Sequence, residues 1–211
     1  MIDLDTIIPH LLTALAVIVA VMFHEISHGL AAYALGDKTA KEQGRLSLNP
    51  LRHIDWIGLL MFVTLGFGWA KPVQVDTRYF KNQRLGLAAV SFAGPVMNFL
   101  LAFVSIIAFE ILLFFSASLG IMQFFLHLLQ VNIVLGVFNL FPIPPLDGSK
   151  ILGLILPEHI HMKILRYERY GMFVLIALLW IGVLRVPLNF LVDTVWDWYF
   201  MVGRWIYNLL R

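Results

Sequence analysis

The 211-residue chain contains no cysteine, which excludes disulfides and thiolate metal ligands. Charge is also scarce. Only 13% of the residues are charged, against about 25% in an average soluble domain. With 60% hydrophobic residues and a mean hydropathy of +0.85, the chain cannot cover a soluble surface and reads as an integral membrane protein. A net charge of +2 is too small to point to nucleic acid. Lys and Arg are missing altogether from residues 1–35 and 86–149. Residues 36–85 hold eight basic residues against four acids, and residues 150–170 hold four more basic residues. By the positive-inside rule these two basic stretches face the cytosol and the acidic N-terminus lies outside. The run Met1-Ile2-Asp3-Leu4-Asp5 lacks the positive region of a signal peptide, so the first apolar segment is expected to belong to the mature protein. No internal repeat, low-complexity segment or long linker is visible.

The apolar runs predict an all-α polytopic membrane protein of about five or six transmembrane helices, built as a single domain over residues 1–211. Helices are expected at about 7–35, 86–116, 121–141 and 171–184, the first running from outside to inside. Residues 188–211 mix Asp193, Asp197 and Arg204 with Trp and Tyr, which suits a span or an interfacial helix. The stretch 53–69 is apolar but short, with basic residues on both flanks. It contains Gly58, Gly66 and Gly68, followed by Pro72 and the strand-like alternation Val73-Gln74-Val75. Residues 53–78 are therefore expected to form a re-entrant or β-hairpin element dipping in from the cytosolic side. Its backbone must be shielded by protein or line a wet cavity, and its open edge could pair with an extended peptide.

Near the cytosolic end of the first apolar run stands His24-Glu25-Ile26-Ser27-His28. Ionisable groups in hydrocarbon are costly unless something uses them. Two histidines four residues apart share one helix face and can reach a single metal ion. This is the H-E-x-x-H arrangement, in which the glutamate is general base for a metal-activated water. A polar patch bonded to neighbouring helices is the alternative. A catalytic zinc needs a third protein ligand and an open position. Glu110 lies toward the opposite face. His53, Asp55, His159 and His161 are on cytosolic segments and are expected to be solvated. His127, alone in a helix, reads as a core or interface histidine. Asp147 stands out. It ends the run Asn139-Leu140-Phe141-Pro142-Ile143-Pro144-Pro145-Leu146-Asp147-Gly148. Three prolines forbid a regular helix there, and the stiff chain can hold one carboxylate in place. The charge map puts it on the same membrane side as His28. A turn whose aspartate caps the next helix is the structural alternative.

His24-Glu25-x-x-His28 together with Asn139-x-x-Pro142-x-Pro144-x-Leu146-Asp147-Gly148 resembles the two signature motifs of the site-2 protease family of intramembrane zinc metalloproteases. Gly94-Pro95-Val96-Met97-Asn98 resembles a third family feature. Arg45-Leu46-Ser47-Leu48-Asn49-Pro50 and Gly68-Trp69-Ala70-Lys71-Pro72-Val73 are similar to compact bacterial members without PDZ or CBS domains. The resemblance covers roughly residues 15–155; residues 156–211 carry no motif.

The resemblance implies one zinc ion (Zn2+) per chain, held by His24, His28 and Asp147, with Glu25 as general base. It implies that Asn98 either bonds the substrate or polarises its carbonyl, or serves as an interhelical hydrogen bond. Asn139 would hold the Pro-rich loop or bind the substrate backbone. It further implies a transmembrane protein substrate cut within or near its membrane segment. The site would face the cytosol in a multi-pass cell membrane protein, most simply the bacterial cytoplasmic membrane. The competing classes are a non-catalytic zinc-binding scaffold and a metal transporter. The near absence of charge over 86–138 argues against a transport path. A protease with glutamate as third ligand would need one of Glu42, Glu110, Glu158 and Glu168, none of which lies in a suitable motif.

Overall fold

The computed structural model describes residues 4–58, 61 and 71–211. It is helical, and no strand occurs among the described residues. Seven helices carry labels here: α1 (Leu4–Ala34), α2 (Thr39–Glu42), α3 (Gln83–Phe114), α4 (Leu119–Asn139), α5 (Asp147–Leu152), α6 (Glu158–Ile181) and α7 (Arg185–Leu210).

Among the described residues, three helices are long and apolar enough to cross a membrane: α1, α3 and α4. The count rises to four if α6 and α7 together make one broken span. They are bent by 85° across residues 182–184, where Gly182 takes a left-handed conformation with φ +82°. The expected five or six spans are thus not all present among the described residues. The expected 171–184 span is the second half of α6. That helix begins at Glu158, because its basic first half is as helical as its apolar end. The central part of the expected 53–78 hairpin lies outside the described residues. Its end, residues 71–76, is irregular chain rather than a paired strand.

Local chemistry sets the helix ends. The Asn82 side chain accepts from the Leu85 N–H and starts α3. At the far end of α3 the Ala117 N–H donates to the Leu112 carbonyl at 2.9 Å and the Ser116 N–H to the Leu113 carbonyl at 3.1 Å. This Schellman arrangement stops the helix and turns the chain straight into α4. Helices α1, α3 and α4 then pack as neighbours, and α7 lies across α3 and α4.

The largest apolar cluster joins Ala102 and Ile106 of α3, Leu129, Ile133 and Val137 of α4, and Tyr199 of α7. The Tyr199 hydroxyl donates to the Phe99 carbonyl at 2.7 Å, so the one polar tip in this cluster is satisfied. The α7 segment, whose placement the sequence leaves open, is therefore packed on the helical core. Large apolar side chains such as Leu11, Leu15, Leu100, Val104 and Trp180 remain exposed. In water such a belt would be a liability; in hydrocarbon it is the expected outer face.

Candidate metal centre

The long helix α1 carries His24 and His28 one turn apart, both buried. Each imidazole is fixed from behind. His24 Nδ1 lies 2.6 Å from Asn98 Oδ1, and His28 Nδ1 lies 2.7 Å from the Val90 carbonyl oxygen. Both partners are acceptors, so each Nδ1 donates. A neutral imidazole with a proton on Nδ1 has a lone pair on Nε2. The orientation of Asn98 is set independently, since its Nδ2 donates to Asn132 Oδ1 at 2.9 Å and to the Ala20 carbonyl at 3.3 Å.

Helix α3 lies directly against the two rings. A Cβ at Gly94 would stand 2.5 Å from His24 Cε1 and 2.6 Å from His28 Nε2, so only glycine lets α3 approach this far. Pro95, next in sequence, lacks an N–H and leaves the Ser91 carbonyl without its helical donor. The helix is thus loosened in the same turn that offers the Val90 carbonyl to His28.

The Pro-rich loop after α4 brings in the carboxylate. The loop folds back over Gly148 so tightly that a Cβ there would sit 2.2 Å from the Leu140 carbonyl oxygen. Asp147 begins α5 and is 8% exposed. Its Oδ2 lies 3.2 Å from His24 Nε2 and 3.1 Å from His28 Nε2, and the two Nε2 atoms are 3.0 Å apart.

Two lone pairs and a carboxylate oxygen facing one another at these distances repel unless a cation sits among them. Asp147 Oδ2 is buried and accepts no hydrogen bond among the described residues. Ligands about 2.0–2.1 Å from a tetrahedral ion stand about 3.3 Å apart, close to the separations found. Nitrogen and oxygen donors without sulfur suit zinc with an open position. These three residues are the one group of potential metal ligands brought together among the described residues.

Glu25 projects from the same stretch of α1, and its Oε2 accepts from the Val73 N–H at 2.8 Å. Asn98 is fully buried and bonded to a ring of the trio, which is both an interhelical bond and a place beside the site. Asn139 is not brought into the trio's bonding; its Nδ2 donates to the Leu135 carbonyl of its own helix at 3.0 Å. Glu110 is buried elsewhere, against Gly203 of α7. His127 lies 3.2 Å from the Thr13 hydroxyl, the interface role the sequence suggests.

Two expectations fail. His53 and His161 are buried rather than solvated, at 2% and 5% exposure. His53 Nε2 bonds the Ser47 carbonyl at 2.7 Å inside a tight turn, and His161 packs on Gly153 of the α5–α6 junction. Sequence reasoning missed Asn132, a fully buried amide that completes the Asn98 network. No sequence signal singles it out, since α4 also carries Gln123, Gln130 and Asn139.

Sequence comparisons identify relatives of the chain. The model of peptidase family M50 matches residues 111–182, a region that contains Asn139 and Asp147. Three relatives each carry the name "Putative zinc metalloprotease". YwhC of Bacillus subtilis is 41% identical over 179 residues, 82% of this chain and 81% of that relative. Rip2 of Mycolicibacterium smegmatis is 26% identical over 90% of this chain and 71% of its own. MJ0611 of Methanocaldococcus jannaschii is 31% identical over 70% of this chain and 72% of its own. No solved structure matches. With a relative so similar over most of both chains, the chain belongs to peptidase family M50, the site-2 protease family of zinc metalloproteases.

Proposed function

We propose that the chain, as a single integral-membrane domain, hydrolyses peptide bonds within or near transmembrane segments of other membrane proteins. The observation that carries this reading is the buried meeting of His24 Nε2, His28 Nε2 and Asp147 Oδ2 within 3.0–3.2 Å of one another. These three residues hold zinc. When bound, zinc lowers the pKa of water from 15.7 to about 7 and polarises a carbonyl as a Lewis acid.

The remaining work falls to the chain itself. Asn98 and the Val90 carbonyl hold both imidazoles in the tautomer that turns Nε2 inward. Glu25, fixed through one oxygen by the Val73 N–H, uses the other to take the proton from the attacking water and passes it to the leaving amine. Asn98 acts on the metal side of the site through His24, and Asn139 keeps the end of α4 intact above the Pro-rich loop.

A helical substrate must unwind before its carbonyl can be reached, because the helix hydrogen bonds cover it. Residues 71–76, the irregular chain that meets Glu25, receive the unwound substrate. The basic stretches 36–85 and 150–170 support a site on the cytosolic side of the cell membrane.

The test compares membrane proteomes of cells that lack the protein, carry it, or carry Glu25→Gln. Membrane proteins that lose their intact form only with the native chain are its substrates, and Glu25→Gln should match the deletion. If Glu25→Gln restores the native pattern, the scaffold or transporter reading replaces proteolysis.

A further inference from the structure

The chain that carries the Val73 N–H, residues 71–76, is tied to the rest of the fold by buried charges. Arg45 is 6% exposed. Its guanidinium donates to the backbone carbonyls of Arg52, Lys71 and Pro72, the last at 3.1 Å. A second buried charge lies nearby in sequence. Asp37 is fully buried; one carboxylate oxygen accepts from the Thr39 N–H at 2.9 Å and the other from the Asp76 N–H at 2.7 Å. Neither residue forms an ion pair among the described residues. Burying a charge without a counter-charge is costly, so both are spent wholly on holding backbone.

The backbone they hold is the same in each case. Arg45 grips the start of residues 71–76 and Asp37 grips the end. Between the two grips the Val73 N–H donates to Glu25 Oε2. The Lys71 N–H is also tied, to the His53 carbonyl at 3.0 Å. Register matters acutely here. Sliding an extended chain by one residue moves it about 3.3 Å. In one direction that slide would bring Pro72 opposite Glu25, and proline has no N–H to give.

We propose that Arg45 and Asp37 are positioning residues: they fix the register of residues 71–76 on α1, so that the Val73 N–H holds the Glu25 carboxylate in one orientation. The proposal rests on the reading of Glu25 as general base. Arginine suits the task because its planar fork serves several carbonyls at once, which an ammonium cannot do in the same geometry.

The experiment uses the full chain, zinc-loaded and purified in detergent. The probe is a quenched fluorogenic peptide with about 20 apolar residues and a central Gly-Pro pair. Arg45→Gln and Asp37→Ala should each lower kcat roughly 100-fold, the scale set by misplacing a catalytic group by about 1 Å. KM should change far less, and zinc content should stay at the native level. Arg45→Lys should recover part of the loss. A second readout needs no activity. Gln43 Nε2 lies 3.1 Å from Gln74 Oε1, and the chain has no cysteine. Joining Gln43→Cys to Gln74→Cys with a short bis-maleimide therefore reports the register, and its yield should fall with Arg45→Gln. Native kcat, a rise in KM alone, or an unchanged cross-linking yield would overturn the proposal. If Arg45→Gln does not accumulate, Arg45→Lys and Asp37→Asn carry both readouts, with smaller losses expected. If the native chain fails to cut the peptide while the cross-link still depends on Arg45, the protease reading fails and the clamp stands.

Discussion

Replacing Gly94 by alanine puts one methyl group where the structure has no room for it. The new Cβ would lie 2.5 Å from His24 Cε1 and 2.6 Å from His28 Nε2, whereas ordinary van der Waals contact begins at 3.4 Å. Either both imidazoles retreat by roughly 0.8 Å, or α3 moves off α1 by a similar distance, in line with the usual response to overpacking. The first response spreads the ligand set, and metal sites tolerate ligand distances only within about 0.2 Å. The second withdraws the Val90 carbonyl and Asn98 from the two Nδ1 atoms. Either way zinc affinity should fall about 100-fold, equivalent to about 2.7 kcal/mol. The assay is a competition titration of the detergent-purified chain against a zinc chelator of known affinity, with circular dichroism to confirm that helix content is unchanged. Native affinity in a folded Gly94→Ala protein would refute the packing of α3 on the imidazoles.

Asn98→Ala removes the acceptor of His24 Nδ1 and should lower zinc affinity about 10- to 100-fold, the usual cost of losing such a partner; the same chelator titration reads it. Asn139→Ala should cost the site little, because its amide bonds only within α4; a loss of zinc comparable to that of Asn98→Ala would contradict this. His161 adds a pH dependence. Burial first, and then the Arg84 guanidinium, hold its pKa below 6.5, while Glu158 opposes weakly. The unfolded chain therefore takes up the proton more readily. Stability from this group is complete above about pH 6.5 and is lost as pH falls through that value toward the folded pKa. Thermal unfolding should show native protein losing stability below pH 6.5 more steeply than His161→Gln; parallel profiles would remove His161 from the account.

What could be read in advance follows from which interactions are local. Helices α1, α3 and α4 are long apolar runs, and their observed bounds lie within about three residues of those expected. The start of α6 at Glu158 was not legible, because Lys163, Arg166 and Arg169 interrupt the hydropathy without interrupting the helix. His24, Glu25 and His28 announce themselves by spacing, and Asp147 by the prolines that stiffen its approach. The Val90 carbonyl, Asn132 and the Val73 N–H belong to no pattern. Each depends on where one helix or loop lands on another, which only tertiary packing decides. The same reason explains His53 and His161, whose polar neighbours in sequence suggest water while the turn and the α5–α6 junction enclose them.

X-ray absorption at the zinc edge tests the central claim most directly. The native chain should hold one zinc ion with nitrogen and oxygen neighbours at about 2.0–2.2 Å and no sulfur, and Asp147→Ala should lose the ion or bind it far more weakly. An Asp147→Ala protein that keeps a full complement of zinc with unchanged coordination would contradict the assignment of the site.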